Sequence, residues 1–291
     1  MRTILRFGML LSALIAPPLA AQSTTTAATA RDSMVFLRIR DGSTVVGSLA
    51  RESAESLWVV TGGGRLTFAK AAIRERRNVR ASDVHDGEYW APNPHDTRLF
   101  FGPTARMLDA GDGYFSDFYL FFVNGSYGVT DRVMFGGGMS VFPSSDFSNN
   151  LFYLTPKVSL VKGERFNVAA GALVGFAGHA NGSAGLLYVT ATNGDADDAL
   201  TYGLGWAYSK GKIGGDATLM LGGTRRVSRR VMLMAENYFF TGSGGGYVLP
   251  MYGIRFVGDR LSTDLGFVNF VGKGEAGIFP GIPWVGFALK F

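Results

Sequence analysis

From Arg98 to Phe291 the chain alternates apolar residues with small or polar ones, and this period of two constrains its fold more than any other feature. About twelve such segments of roughly ten residues follow one another, over 98–107, 114–128, 133–143, 150–161, 166–177, 184–193, 199–209, 216–224, 229–240, 247–257, 261–271 and 282–291. About ten residues is what a tilted strand needs to cross a bilayer. Side chains on a strand point alternately to its two faces. Over 199–209 one face collects Leu200, Tyr202, Leu204, Trp206 and Tyr208, the other Thr201, Gly203, Gly205, Ala207 and Ser209. Over 166–177, Val168, Ala170, Ala172, Val174 and Phe176 oppose Asn167, Ala169, Gly171 and Gly175. The expected arrangement is apolar residues toward lipid and small or polar ones toward a lumen. A soluble β-sandwich also alternates, but its apolar face is its interior and its strands are usually shorter.

The connections sort into two kinds in strict turn. Tight, charged ones lie at Thr130-Asp131-Arg132, Lys162–Arg165, Asn193–Asp198, Arg225–Arg229 and Gly258-Asp259-Arg260. Longer or Gly/Ser-rich ones lie at Leu108–Gly113, Ser144–Asn149, Gly178–Ser183, Lys210–Gly215, Thr241–Gly246 and Gly272–Gly281. Short turns on one side and variable loops on the other are the rule for membrane barrels. An even number of strands returns both ends of the barrel to the short-turn side. Tyr114, Tyr127, Trp206, Tyr247 and Trp284 stand near strand ends, where aromatic girdles form. Ten or fourteen strands would also satisfy the pattern: 115–123 is apolar on both faces, and Pro103 and Pro156 fall inside expected strands, where bulges would accommodate them.

The last segment carries a second signal. Val285, Phe287, Leu289 and Phe291 share one face, with Gly286, Ala288 and Lys290 on the other. Gly286, Leu289 and the final Phe291 resemble the C-terminal assembly signal of bacterial outer-membrane β-barrel proteins; Trp284 departs from the polar residue usual two before the Gly. The resemblance covers roughly three-quarters of the chain, and implies a barrel surrounded by outer-membrane lipid and recognised by the barrel-assembly machinery. At the other end, Arg2 and Arg6 precede an apolar run from Met9 to Ala16 and small residues at Ala20-Ala21. Residues 1–21 therefore read as a secretory signal peptide, too short to span a bilayer. Removing its two arginines lowers the net charge from +5 to +3, too mild to suggest nucleic acid as a partner. There are 0 cysteines, which excludes disulfides, thiolate metal sites and a lipidated N-terminal Cys. A mean hydropathy of +0.15 with 41 glycines suits a barrel better than a helical membrane protein.

Ahead of the barrel, residues 22–33 form a Thr/Ala-rich linker and 34–78 a small β-domain. Val35, Leu37 and Ile39 alternate, Asp41-Gly42 turns, and a second hairpin turns at Gly62-Gly63-Gly64. These residues resemble a small SH3-like or Sm-like barrel over about 45 residues. The basic run Arg74, Arg76, Arg77, Arg80 reads as a solvated element end, and 79–97 as a linker, ordered from Asp83 by Trp90, Pro92 and Pro94.

Candidate chemistry is sparse. His179 lies four residues from Ser183, with Asn181 where a His-x-Ser pair of an outer-membrane lipid hydrolase would need its serine; an ordinary polar loop is the better reading, and no enzyme is expected. Asp195, Asp197 and Asp198 lack the spacing of an EF-hand and read as turn acids; no metal or cofactor is expected. The informative charges are Arg98, Arg106, Lys157, Arg255 and Asp264, which alternation turns inward, with Glu236 less firmly assigned. A lipid-facing Arg or Lys near midplane costs about 2–4 kcal/mol, so the lumen is their place. They would either select a small solute or fill a narrow lumen with an ion-pair network, Arg255 with Asp264 first.

The expectation is an all-β chain: a transmembrane antiparallel up-and-down barrel of about twelve strands preceded by a small periplasmic β-domain. Its first expected function is a narrow passive channel for small solutes. The alternative is a structural barrel presenting the small domain to a periplasmic or cell-wall partner. A lipid-directed hydrolase stands third.

Overall fold

The structure is a computed structural model and describes residues 33–143, 150–177, 182–240, 246–272 and 277–291. The expected signal peptide and His179 lie outside them.

Five strands form a first antiparallel sheet in the order β4-β3-β2-β1-β5: β1 (Ser33–Ile39), β2 (Thr44–Glu52), β3 (Ser56–Thr61), β4 (Gly64–Ala69) and β5 (Ile73–Arg80). Alternation buries Val35, Leu37, Leu57 and Val59 in one cluster, with Ile39, Val45, Leu49, Phe68 and Ile73 packed around it. Gly47 is required by close approach: a Cβ there would meet the carbonyl of Val60 and, at 2.7 Å, a methyl of Val59. The basic run is strand β5, and three of its four arginines are paired: Arg76 with Glu52, Arg77 with Glu75 and Arg80 with Asp83. A two-stranded ribbon of β6 (Val84–His85) and β7 (Glu88–Tyr89) follows.

The barrel comprises β8 (Gly113–Phe118), β9 (Phe122–Thr130), β10 (Val133–Ser140), β11 (Leu151–Leu154), β12 (Lys157–Lys162), β13 (Phe166–Ala177), β14 (Ser183–Gly194), β15 (Asp198–Ser209), β16 (Lys212–Ser228), β17 (Val231–Phe240), β18 (Tyr247–Val257), β19 (Leu261–Val268) and β20 (Ile282–Lys290). Each pairs antiparallel with its neighbours, and β20 pairs with β8 to close the ring. β11 and β12 are two halves of one crossing: both pair with β10 and β13, and the break falls at Thr155-Pro156. Pro156 has no N–H for the ladder, but its carbonyl still accepts from Ala172 N at 3.0 Å. The ring is therefore a closed barrel of twelve crossings.

The faces follow the alternation. Leu200, Tyr202 and Leu204 of β15 are exposed on the outside while Thr201 is 1% exposed; on β13 the inward Ala169 is 0% exposed. Val285 and Leu289 lie on the outer face of β20, and Ala288 is buried inside. A belt of exposed Leu, Val and Phe facing out around a ring of buried Thr, Ser, Gly and charged residues is the inverse of a soluble core. Such a surface is stable against hydrocarbon, where every backbone group must be bonded internally.

Two expectations about the strands are corrected. Residues 98–107 do not form the first crossing, and β20 closes on β8 instead. Residues 114–128 are two strands, β8 and β9, joined through Tyr119 and Leu120 at φ 56° and 62°. Leu108–Gly113 accordingly lies at the short-turn end, beside the chain terminus: Lys290 pairs with Asp112 at 2.6 Å and Gly113 N donates to Phe291 O. Lys210–Gly215 is no loop: β15 and β16 run on into a tight hairpin at Lys210-Gly211, both at positive φ.

Candidate functional site in the barrel lumen

The segment expected to be strand 98–107 lies inside the barrel. Its fold is a small closed loop: Leu99 N donates to Gly102 O at 2.9 Å and Thr104 N to Thr97 O at 3.1 Å, with Arg98 and Pro103 bridged. Pro103 is thus a turn residue of an inserted segment, and no strand bulge is needed. Leu99 and Phe100 are each 1% exposed.

Inward glycines make room for it. A Cβ on Gly222 of β16 would strike the Leu99 side chain, and one on Gly266 of β19 would come 3.2 Å from the Phe100 ring. Around Phe100, the inward Met232, Met234, Met251, Val257 and Trp284 form a packed apolar cluster. Methionine is suited to this role because its unbranched thioether fills an irregular gap. At the tip, Gly102 lies so close to β16 and β17 that a Cβ would sit 2.6 Å from the Tyr238 hydroxyl.

The charges within the barrel strands hold the segment by its backbone. Lys157 Nζ, at the start of β12, donates to the carbonyls of Thr97, Thr104 and Arg106 at 3.1, 3.2 and 2.7 Å. Glu236 on β17 accepts from the N–H groups of Phe101 at 3.0 Å and Gly102 at 2.7 Å, and from the Tyr238 hydroxyl at 2.5 Å. Arg255 on β18 donates to the carbonyls of His95 and Leu99, the latter at 3.0 Å. It also donates to the Arg98 carbonyl at 3.4 Å and to the two oxygens of Asp264 on β19 at 2.6 and 2.8 Å. Arg255 and Glu236 are each 0% exposed and Asp264 2%. Thr192 accepts from Ala105 N at 2.9 Å and in turn shares a hydrogen bond with Thr201. Each of these is an inward position that alternation dictates, and each is buried and would be costly to leave unpaired.

The six charges singled out in the sequence fall into two groups. Lys157, Glu236, Arg255 and Asp264 are on the wall. Arg98 and Arg106 belong to the inserted segment. Arg106 donates to the carbonyls of Gly194 and Asp195 and lies 3.7 Å from Asp96. Arg98 lies over the Phe118 ring at 5.5 Å. Sequence reasoning missed His95, Leu99, Phe100 and Arg226. Arg226, on β16, binds the carbonyl of Ala91 at 2.8 Å and Asp197 at 3.2 Å, and stacks on Trp90 at 5.5 Å. The one available signal was Pro103, which argued against a strand. Asp195 caps its own turn by accepting from Asp197 N and Asp198 N, at 3.1 and 2.9 Å.

The five-stranded sheet meets the same end of the barrel. Arg77 of β5 pairs with Asp259 of the β18–β19 turn at 2.8 Å, and Arg38 reaches the same carboxylate at 4.0 Å. On the far side of the inserted segment the lumen widens into a cavity of about 730 Å³. Its floor is Thr97, Arg98, Phe101 and Pro103, and its walls include Phe118, Phe122, Leu173, Leu186, Tyr188 and Leu249. Between segment and wall, beside Asn93, Asp96 and Thr192, lies a small cavity of about 10 Å³.

No family model matches the chain, and no curated protein matches it. Among solved structures it is similar to a NanC porin, at 9% identity and a TM-score of 0.41 over 62% of this chain and 98% of that one. It is also similar to the outer-membrane expressed OmpT of Vibrio cholerae, at 13% identity and a TM-score of 0.36 over 89% and 94%. Superpositions this loose specify neither solute nor lumen chemistry.

Proposed function

We propose that this chain is an outer-membrane barrel closed to passive flow by residues 91–108, which anchors its five-stranded domain at the periplasmic rim. One observation carries the reading: Lys157, Glu236 and Arg255 direct their hydrogen bonds at the backbone of the inserted segment. A ring that selects solutes must leave its charges free to exchange partners with the traffic. Here those charges instead fix a loop in place, and the second expected role, presenting the small domain, gains weight from the Arg77–Asp259 contact.

The passive channel stays as a second reading, favoured by the cavity of about 730 Å³ on the far side of the inserted segment. It requires the segment to leave. Planar bilayers separate the two. Full-length protein should show no steady unitary conductance, and replacing residues 97–104 by a Gly/Ser linker of equal length should create one. Steady conductance by the unaltered protein, changed by Arg255→Ala, would establish the channel instead.

A further inference from the structure

Arg98 stands apart from the other lumen charges. Its backbone is held, since its carbonyl accepts from Arg255 at 3.4 Å, but its guanidinium makes no hydrogen bond or ion pair to any described residue. Its contact is the Phe118 ring. Of the lumen acids, Asp264 has Arg255, Glu236 has the Phe101 and Gly102 N–H groups, and Asp96 has Arg106; the buried Asp117 of β8 feels the charge of Arg98 but makes no ion pair with it. Lys157 directs its ammonium at three carbonyls. Arg98 is thus the cation on the cavity floor whose donors remain open.

Above it the cavity is lined mainly by hydrocarbon, with Phe122, Leu173, Leu186 and Leu249 among its walls. Its volume falls within the range of about 300–1,000 Å³ usual for small-molecule sites. A guanidinium presents a planar fork of donors suited to carboxylate or phosphate. A small polar anion would match the fork and waste the walls, and a neutral hydrocarbon would leave the guanidinium unmet. We infer that the cavity binds a single-chain amphiphile with an anionic head, its chain along the apolar walls and its head on Arg98. Carboxylate and phosphate heads share this chemistry, so the ligand is a free fatty acid or a single-chain phospholipid. The inference goes beyond the anchoring role but rests on the inserted segment staying in the lumen, since Arg98 belongs to it.

Binding of radiolabelled oleate to the full-length protein in lipid nanodiscs, with empty discs subtracted, tests this. One saturable site per barrel is expected. Arg98→Met should weaken it at least tenfold, and Leu186→Trp, which fills the cavity without touching the cation, should remove it. Oleyl alcohol should compete at least tenfold less well than oleate or oleoyl lysophosphatidate, and the stronger of those two identifies the head group. Absence of a saturable component, equal competition by all three, or unchanged binding in Arg98→Met would overturn the proposal. Should Arg98→Met fail to fold, as judged by heat-modifiable gel mobility, the competition series on the unaltered protein decides. Conductance of the same preparations reports on the inserted segment separately.

Discussion

Arg255 shows how much one inward position can do. It joins three parts of the molecule: its own strand, Asp264 on the next, and the inserted segment through the His95 and Leu99 carbonyls. Arg255→Met should cost about 3–5 kcal/mol, because Asp264 would be left as an uncompensated buried charge. Urea unfolding of the protein in lipid vesicles measures this. Arg255→Met combined with Asp264→Leu should recover part of the loss, since removing both members of a buried pair leaves neither charge stranded. Gly102 makes a sharper probe of the segment alone. Gly102→Leu would drive a side chain into Met220 and Tyr238. The tip should then lift off Glu236, and bilayers should show conductance from a barrel that still migrates as folded.

At the scale of elements, alternation reveals which face of each strand meets lipid, and the exposed Leu200, Tyr202 and Leu204 beside the buried Thr201 follow it. It fails at two places for physical reasons. The β8–β9 turn uses Tyr119 and Leu120 in the left-handed region, where a Cβ is disfavoured and Gly or Asn is the usual marker. No residue there announces a turn, so two strands read as one. Conversely, 98–107 alternates like a strand because a loop inside a lumen also needs some side chains toward wall and some toward space. The sum of crossings is unaffected by these two differences, but the first strand is displaced from 98–107 to 113–118. The wall charges Lys157, Arg255 and Asp264 could be located by period. Their partner could not, because it is a backbone, and a backbone leaves no pattern in a sequence. The inward glycine beneath Leu99 offers a test of this fit: Gly222→Leu should displace the segment and raise conductance, whereas the same change at outward Gly137, 3.2 Å from the side chain of Leu154, should not.

For the whole molecule, the strength of the ring is uneven. Eleven residue pairs join β14 to β15, while five join β20 to β8. A disulfide across the closing pair, Ser116→Cys with Ala288→Cys at facing positions, should therefore raise the unfolding temperature more than one placed between β14 and β15 at Leu187 and Trp206. With 0 native cysteines, either bridge forms without competition. The attachment of the five-stranded sheet should be far weaker than the ring. Arg77 and Asp259 are exposed to solvent, so Arg77→Ala should cost about 0.2–1 kcal/mol of that contact and show itself as faster proteolysis near residues 80–90, with the barrel unaffected.

The five-pair joint also has a direction. A cylinder under stress splits along a thin seam; this one, matched in pair number by the joint of β10 with β11 and β12, faces hydrocarbon, with Phe115, Val285, Phe287 and Leu289 on its outer side. Phe118 of that same seam borders the cavity. Parting there would open a sideways slot from the cavity into the bilayer, so a molecule could exchange between lumen and membrane without crossing either mouth of the barrel.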